Sequence, residues 1–168
     1  SSLGLDVDGN FTALWVDAHI DTGAYLSRRS KGLLNNMGGV AGQYKTPNIA
    51  TQMSFFFTNT MQTSPYRGFG RPEATYVIER LIDQAARETG RDPLALRQQN
   101  LIPAEAMPYQ TALTFNYDSG NFPKIVATAA KNADYAGFAK RRKKSEACGL
   151  LRGIGIANPI EVAGGPLK

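Results

Sequence analysis

Between Ala74 and Ala86 the apolar residues fall at Ala74, Val77, Ile78, Leu81, Ile82, Ala85 and Ala86. That is the i, i+3, i+4, i+7 spacing of a helix with one buried face. Nothing else in the chain constrains the fold so strongly. The helix expected over 72–89 must lie against a core, with Pro72 in its first turn, Glu73 at the positive end of its dipole and Gly90 as its stop. Asp92-Pro93 then opens a second, shorter helix through about Asn100, with Asp as cap and Pro at the first helical position.

The segments on either side supply the other layer. Residues 3–25 read as a β-hairpin. Leu3, Leu5 and Val7 alternate with polar or small residues, Asp8-Gly9-Asn10 turns the chain, and Phe11 to Ile20 returns with Leu14, Val16, Ala18 and Ile20 on one face. His19 falls on the opposite face beside Asp17 and Asp21, as a surface residue. Residues 26–50 are rich in Gly, Asn and Ser, a connection suited to binding, packing or meeting other parts of a larger protein. Residues 47–63 return to a strand pattern, and the run Phe55-Phe56-Phe57 implies burial on both faces. Beyond the irregular stretch around Pro103, Pro108 and Asp118-Ser119-Gly120, helices are expected over about 122–133 and 135–147, and a last strand over Leu151 to Val162. Strands, then helices, then a strand point to an α+β fold, a mixed sheet with helices packed on one side, in a single domain over 1–168.

Composition closes several routes. A single cysteine, Cys148, excludes an internal disulfide and a cysteine-built zinc or iron–sulfur site, and a single histidine, His19, excludes a multi-histidine centre. Cys148, at a helix end, reads as inert and partly buried. No apolar run is long enough to cross a membrane as a helix. The whole net charge of +5 sits in residues 136–168, mostly in Lys140-Arg141-Arg142-Lys143-Lys144. Without interleaved aromatics that run reads as a solvated helix face rather than a nucleic-acid contact. The ends, Ser1-Ser2 with no methionine and Gly164-Gly165-Pro166-Leu167-Lys168, look cut, so an internal piece of a longer chain is expected.

Chemistry concentrates in Pro65-Tyr66-Arg67-Gly68-Phe69-Gly70-Arg71-Pro72-Glu73-Ala74. A strand ends, two glycines turn the chain and the strongest helix begins. Free N–H groups at the helix start favour an oxyanion, Arg67 and Arg71 add fork-shaped donors, and Phe69 projects as a stacking surface. The alternative is a tight strand-to-helix turn with two solvated arginines, and the residues alone leave both open. The third glycine of a dinucleotide fingerprint is missing, as are a phosphate-binding P-loop and a Ser/His/Asp set.

A wider pattern carries a resemblance. Tyr66 to Ala74 running into Glu79-Arg80-Leu81-Ile82-Asp83, then Asp92-Pro93-Leu94 and Arg97-Gln98-Gln99-Asn100-Leu101-Ile102-Pro103, is similar to the large, molybdenum-cofactor-binding subunit of the xanthine dehydrogenase/aldehyde oxidase family, most of all its aerobic carbon monoxide dehydrogenase large-subunit-like branch. Asp21-Thr22-Gly23-Ala24-Tyr25, Tyr44-Lys45-Thr46-Pro47-Asn48, Thr114-Phe115-Asn116-Tyr117-Asp118 and Arg152-Gly153-Ile154-Gly155 agree in order and spacing. The resemblance implies an oxidoreductase that hydroxylates an aldehyde, an N-heterocycle or a similar small substrate, with water as the oxygen source. Its cofactor is molybdopterin, and electrons leave through [2Fe-2S] clusters and FAD on an iron–sulfur small subunit and an FAD medium subunit. No nucleic-acid or membrane partner is implied, and the cytoplasm is the default location. Carried over by position, Arg67, Gly68 and Gly70 bind the cofactor, the Arg67 backbone lies near the molybdenum ligands, and Phe69 stacks on the substrate. The catalytic glutamate falls beyond Lys168, so no catalytic residue is expected here and the piece alone is expected to be inactive. Gly68 stands where carbon monoxide oxidisers carry a copper-holding cysteine, and Asn35 where purine oxidisers carry a substrate-binding arginine, so neither carbon monoxide nor xanthine is the implied substrate. The rival expectation is a non-catalytic anion-binding or protein-interaction module built on the Arg67–Arg71 turn.

Overall fold

A computed structural model describes residues 1–26 and 37–161. Strand β1 (Ser2–Leu5) and β2 (Phe11–Asp21) form the expected hairpin. At its tip the Asp6 carboxylate accepts from the Asp8 and Asn10 amides. The ladder slips between Gly4 and Leu5, where Leu5 pairs with Phe11 and Gly4 with Ala13. This bulge resets the strand alternation, so Phe11, Leu14 and Val16 all face the core.

Strand β3 (Asn48–Phe56) runs parallel to β2, in register from Ala13 opposite Asn48 to Asp21 opposite Phe56. The sheet order is β1-β2-β3, mixed as expected. A parallel partner needs a long return connection between the two strands. The 3-10 turn Met37–Ala41 lies within that return and packs on the first helix.

Helix α1 (Arg71–Thr89) buries Ala74, Ile78, Ile82, Ala85 and Ala86, and Gly90 caps its end. Helix α2 (Pro93–Asn100) is capped by Asp92, whose carboxylate accepts from the Ala95 amide at 2.9 Å. Buried Asn100 stitches α2 to the hairpin: its side chain accepts from the Phe11 amide and donates to the Gly9 carbonyl. Short strands β4 (Tyr109–Gln110) and β5 (Asn116–Tyr117) pair, and the Tyr117 hydroxyl donates to the Gly42 carbonyl at 2.7 Å. Helices α3 (Phe122–Asn132) and α4 (Phe138–Glu146) complete the fold. The sheet's inner face and the α1 stripe meet in one apolar cluster, while Thr12, Trp15 and Asp17 on the other sheet face are exposed.

Four expectations are corrected. Phe55 is half-buried, but Phe56 and Phe57 are exposed, because β3 is the edge of the sheet among the described residues and Phe57 lies past its end. The helix expected from 135 starts at Phe138, because Asp134 takes a left-handed turn (φ 46°) whose carboxylate binds the Gly137 amide. Residues 151–161 form no strand; the Ile156 and Pro159 carbonyls accept from the Arg97 and Gln43 side chains instead, and Val162 lies outside the described residues. Cys148 is exposed rather than partly buried, because it lies in the exposed turn that follows α4. Asn35 also lies outside the described residues.

Candidate functional site

The Arg67–Gly70 turn is delivered by a polar clamp at the end of the sheet. Asp21, the last residue of β2, accepts from the Thr58 hydroxyl (2.6 Å), the Gly23 amide (2.7 Å) and the Thr60 hydroxyl (3.1 Å). The Thr58 bond first, and then the Gly23 amide, hold its carboxyl below the usual aspartate value. Residues 58–63 thereby run beside 22–24, with Thr58, Ala24 and Thr63 amides closing the pairing.

Beyond the clamp the backbone turns sharply. Gly68, Phe69 and Gly70 take φ of 99°, 42° and 96° in succession. Gly68 must be glycine: a Cβ there would meet Pro72 Cδ at 2.7 Å in a left-handed conformation that side chains resist. Phe69, half-buried, carries that strain without being glycine.

The donors of this turn are mostly spent. The Phe69 amide donates to Tyr66 O (2.9 Å), the Arg71 amide to Gly68 O (3.2 Å), the Gly70 amide to Glu73 Oε2 (3.0 Å) and the Ala74 amide to Gly70 O (2.9 Å). Pro72 has no amide hydrogen. The expectation of a free helix start is corrected for the Gly70, Arg71 and Ala74 amides, which are taken up within the turn and by Glu73. The amides of Arg67 and Gly68 are a different matter: they have no acceptor among the described residues. Arg67 is exposed. Arg71 is not the second outward fork that its spacing suggested. Its side chain is 13% exposed and pairs with Glu161, while its buried Nε has no acceptor among the described residues.

Sequence reasoning missed a second constellation, in the middle of α1. Glu79 falls on the apolar stripe and is buried. Its Oε1 accepts from the Tyr44 hydroxyl (2.7 Å) and its Oε2 from Arg97 Nε (2.8 Å). Fully buried Arg97 also donates to Asp83 (2.9 Å), to the Glu79 carbonyl (3.1 Å) and to the Ile156 carbonyl (3.3 Å). Asn158 donates to the Tyr44 oxygen at 3.1 Å. Burial, and then the charge of Glu79, push the Tyr44 hydroxyl well above its ordinary value. Burial works against the Arg97 charge, but Glu79 and Tyr44 outweigh it and raise its pKa. A carboxylate on an otherwise apolar stripe was the available signal, since such a charge needs a buried partner. With its hydrogen bonds satisfied and Glu79, Arg97 and Tyr44 all buried, this node ties α1, α2 and the Tyr44 segment together.

Elsewhere, His19 is exposed beside Asp17 and edge-on to Phe56, as a surface residue. Lys140, Arg142, Lys143 and Lys144 are exposed on α4, where Arg142 pairs with Glu146. Among the described residues no cluster of three His, Cys, Asp or Glu side chains could hold a metal ion, and no helix is long and apolar enough to cross a membrane.

Comparison with known proteins shows the family. Residues 1–101 match the family described as the molybdopterin cofactor-binding domain. The chain is 31% identical, over its whole length, to the carbon monoxide dehydrogenase large chain of Afipia carboxidovorans, of which it spans 22%. It is 29% identical, over 96% of its length, to the 6-hydroxypseudooxynicotine dehydrogenase complex subunit gamma of Paenarthrobacter nicotinovorans, of which it spans 21%. The chain thus covers about a fifth of the length of these relatives. Among solved structures, quinoline 2-oxidoreductase from Pseudomonas putida superposes with a TM-score of 0.75 at 26% identity, over 88% of this chain and 19% of that one.

Proposed function

The chain belongs to the molybdopterin cofactor-binding domain family, and from that premise we propose that it is one part of the large subunit of a molybdenum hydroxylase. In this reading the whole protein oxidises an aldehyde, an N-heterocycle or a similar small substrate, with oxygen drawn from water. Electrons pass to [2Fe-2S] and FAD on an iron–sulfur and an FAD partner subunit. Similarity to proteins named as a 6-hydroxypseudooxynicotine dehydrogenase and a quinoline 2-oxidoreductase supports the reaction class.

One observation carries the proposal: the Arg67 and Gly68 amides are the unspent donors of a turn whose other donors are engaged. Adjacent amides held by a rigid turn suit an oxygen-rich anionic centre, since they need no reorganisation on meeting it. A metal carried by an organic ligand needs such backbone donors rather than a cage of side chains, so the residues fit the cofactor. When bound, the cofactor supplies two-electron redox chemistry at a substrate carbon. The Arg67 and Gly68 amides bind and orient its anionic face, the turn at Gly68 and Gly70 lets the backbone approach closely, and the Phe69 ring offers a stacking surface to an aromatic substrate. The base and most pterin contacts belong to other parts of the protein, so the 168-residue chain alone is expected to bind the cofactor weakly and to be inactive.

The test is metal and cofactor analysis of the full-length protein, produced with its neighbouring subunits. Stoichiometric molybdenum, iron and FAD are expected. A folded, assembled complex without molybdenum would overturn the proposal and leave an anion-binding or interaction module.

A further inference from the structure

Residues 154–161, part of the run expected as a strand over Leu151 to Val162, form a strap that ties α2 and the Gln43–Tyr44 segment to the start of α1. Its polar contacts run from Arg97 on α2, through Tyr44 and Gln43, to Arg71, the first residue of α1. The Ile156 carbonyl accepts from Arg97 at the level of Glu79, Asn158 donates to Tyr44, the Pro159 carbonyl accepts from Gln43 at 2.9 Å, and Glu161 pairs with Arg71. Ile160 packs against the core between these polar ties.

The last contact has no rationale in the helix itself. Arg71 opens α1, where the macrodipole disfavours a cation. Its guanidinium is largely desolvated, and one of its nitrogens lacks an acceptor among the described residues. A cation in that position requires a carboxylate partner, and Glu161 supplies it from the strap. Arg71 is also the residue whose amide closes the Gly68 turn. Movement of Arg71 is therefore movement of the turn.

We propose that Arg71 and Glu161 are a positioning pair, through which the strap holds the Arg67 and Gly68 amides in the conformation that meets a ligand. Neither side chain needs to touch that ligand. The proposal rests on the reading of this turn as the cofactor site, and deepens it by naming what keeps the turn rigid.

The experiment uses the full-length protein with its partner subunits, as wild type, Glu161→Gln, and the swapped pair Arg71→Glu with Glu161→Arg. Hydrogen–deuterium exchange is followed over residues 66–72, alongside molybdenum content, kcat and KM. Glu161→Gln is isosteric and lies at an exposed carboxylate, so the fold is retained. Loop exchange is expected to rise about fivefold, as for loss of one ion pair that restrains a local opening. A fall in kcat of about tenfold with KM nearly constant is expected from lost alignment, and the swapped pair should recover most of both. Loop exchange equal to wild type in Glu161→Gln, or no recovery in the swapped pair, would overturn the positioning role. A wild-type complex without molybdenum would instead overturn the functional reading, while the exchange rates still decide whether the pair holds the turn.

Discussion

Helix α1 carries two polar regions that solve opposite problems. At its middle, Glu79, Arg97, Tyr44 and Asp83 form an ionic node in which donors and acceptors meet. At its start, Arg67 to Gly70 form a turn with left-handed backbone at three residues, an exposed arginine and two amides left open. The node is internally paired, and its central pair, Glu79 and Arg97, is buried, so losing either partner leaves an uncompensated charge. The turn costs stability and faces outward. Strain and unspent donors persist only where the surroundings over-determine them, and here the surroundings are a helix pinned at its centre by a fully buried cation.

The largest expected effect breaks the node. Arg97→Ala leaves Glu79 and Asp83 without their cation and is expected to cost about 3–5 kcal/mol, read from equilibrium unfolding in urea. A cost no greater than that of Arg67→Ala, which should stay within about 0.5 kcal/mol as an exposed substitution, would remove the distinction between the two regions.

Gly68→Ala acts on the turn. The left-handed backbone and the approach to Pro72 Cδ put its expected cost at about 1–2 kcal/mol in the same unfolding measurement. In the whole protein its effect on cofactor binding should exceed its effect on stability, which is the mark of a region shaped for a ligand. An equal or smaller effect on cofactor binding would make the turn a packing feature.

Phe69→Ala sharpens the functional side. If the ring stacks on an aromatic substrate, KM should rise by the equivalent of about 0.5–1.5 kcal/mol. Unchanged kinetics would reduce Phe69 to packing.

The smallest effect separates the regions by pH. Burial raises the Tyr44 pKa above its ordinary value of 10.0, so the unfolded chain ionises first as pH rises. The stability that Tyr44 contributes is therefore present below pH 10 and lost above it. Tyr117 is raised in the same way, by burial first. Tyr135 is raised too, by burial first and then by its bond to Asp92, so Tyr44→Phe should remove roughly a third of the alkaline slope of unfolding free energy against pH, whereas Arg67→Ala leaves that slope unchanged.

How much of this was legible in the sequence follows from the range of each interaction. Helices α1, α2 and α3 rest on local periodicity and on caps such as Asp92 and Asn121, and the hairpin rests on alternation and turn chemistry, so all four were readable. The parallel registration of β3 on β2 joins residues 35 apart, and no local signal carries it. The run Leu151 to Val162 is apolar enough to resemble a strand, but its backbone is claimed by Arg97 and Gln43 from elsewhere in the chain. At the candidate site, Gly68-Phe69-Gly70 announced a sharp turn before a helix. Which amides that turn consumes depends on Glu73 reaching back to Gly70, and the fate of Arg71 depends on Glu161, ninety residues later.

The central claim is that the Arg67–Gly70 turn faces the molybdenum cofactor in the whole protein. The most direct measurement is the electron paramagnetic resonance spectrum of the Mo(V) state, compared between wild-type and Gly68→Ala full-length protein loaded with equal molybdenum. The account predicts altered g-values or hyperfine splittings in the variant, because the amides that would meet the cofactor have moved. Superimposable spectra would contradict it.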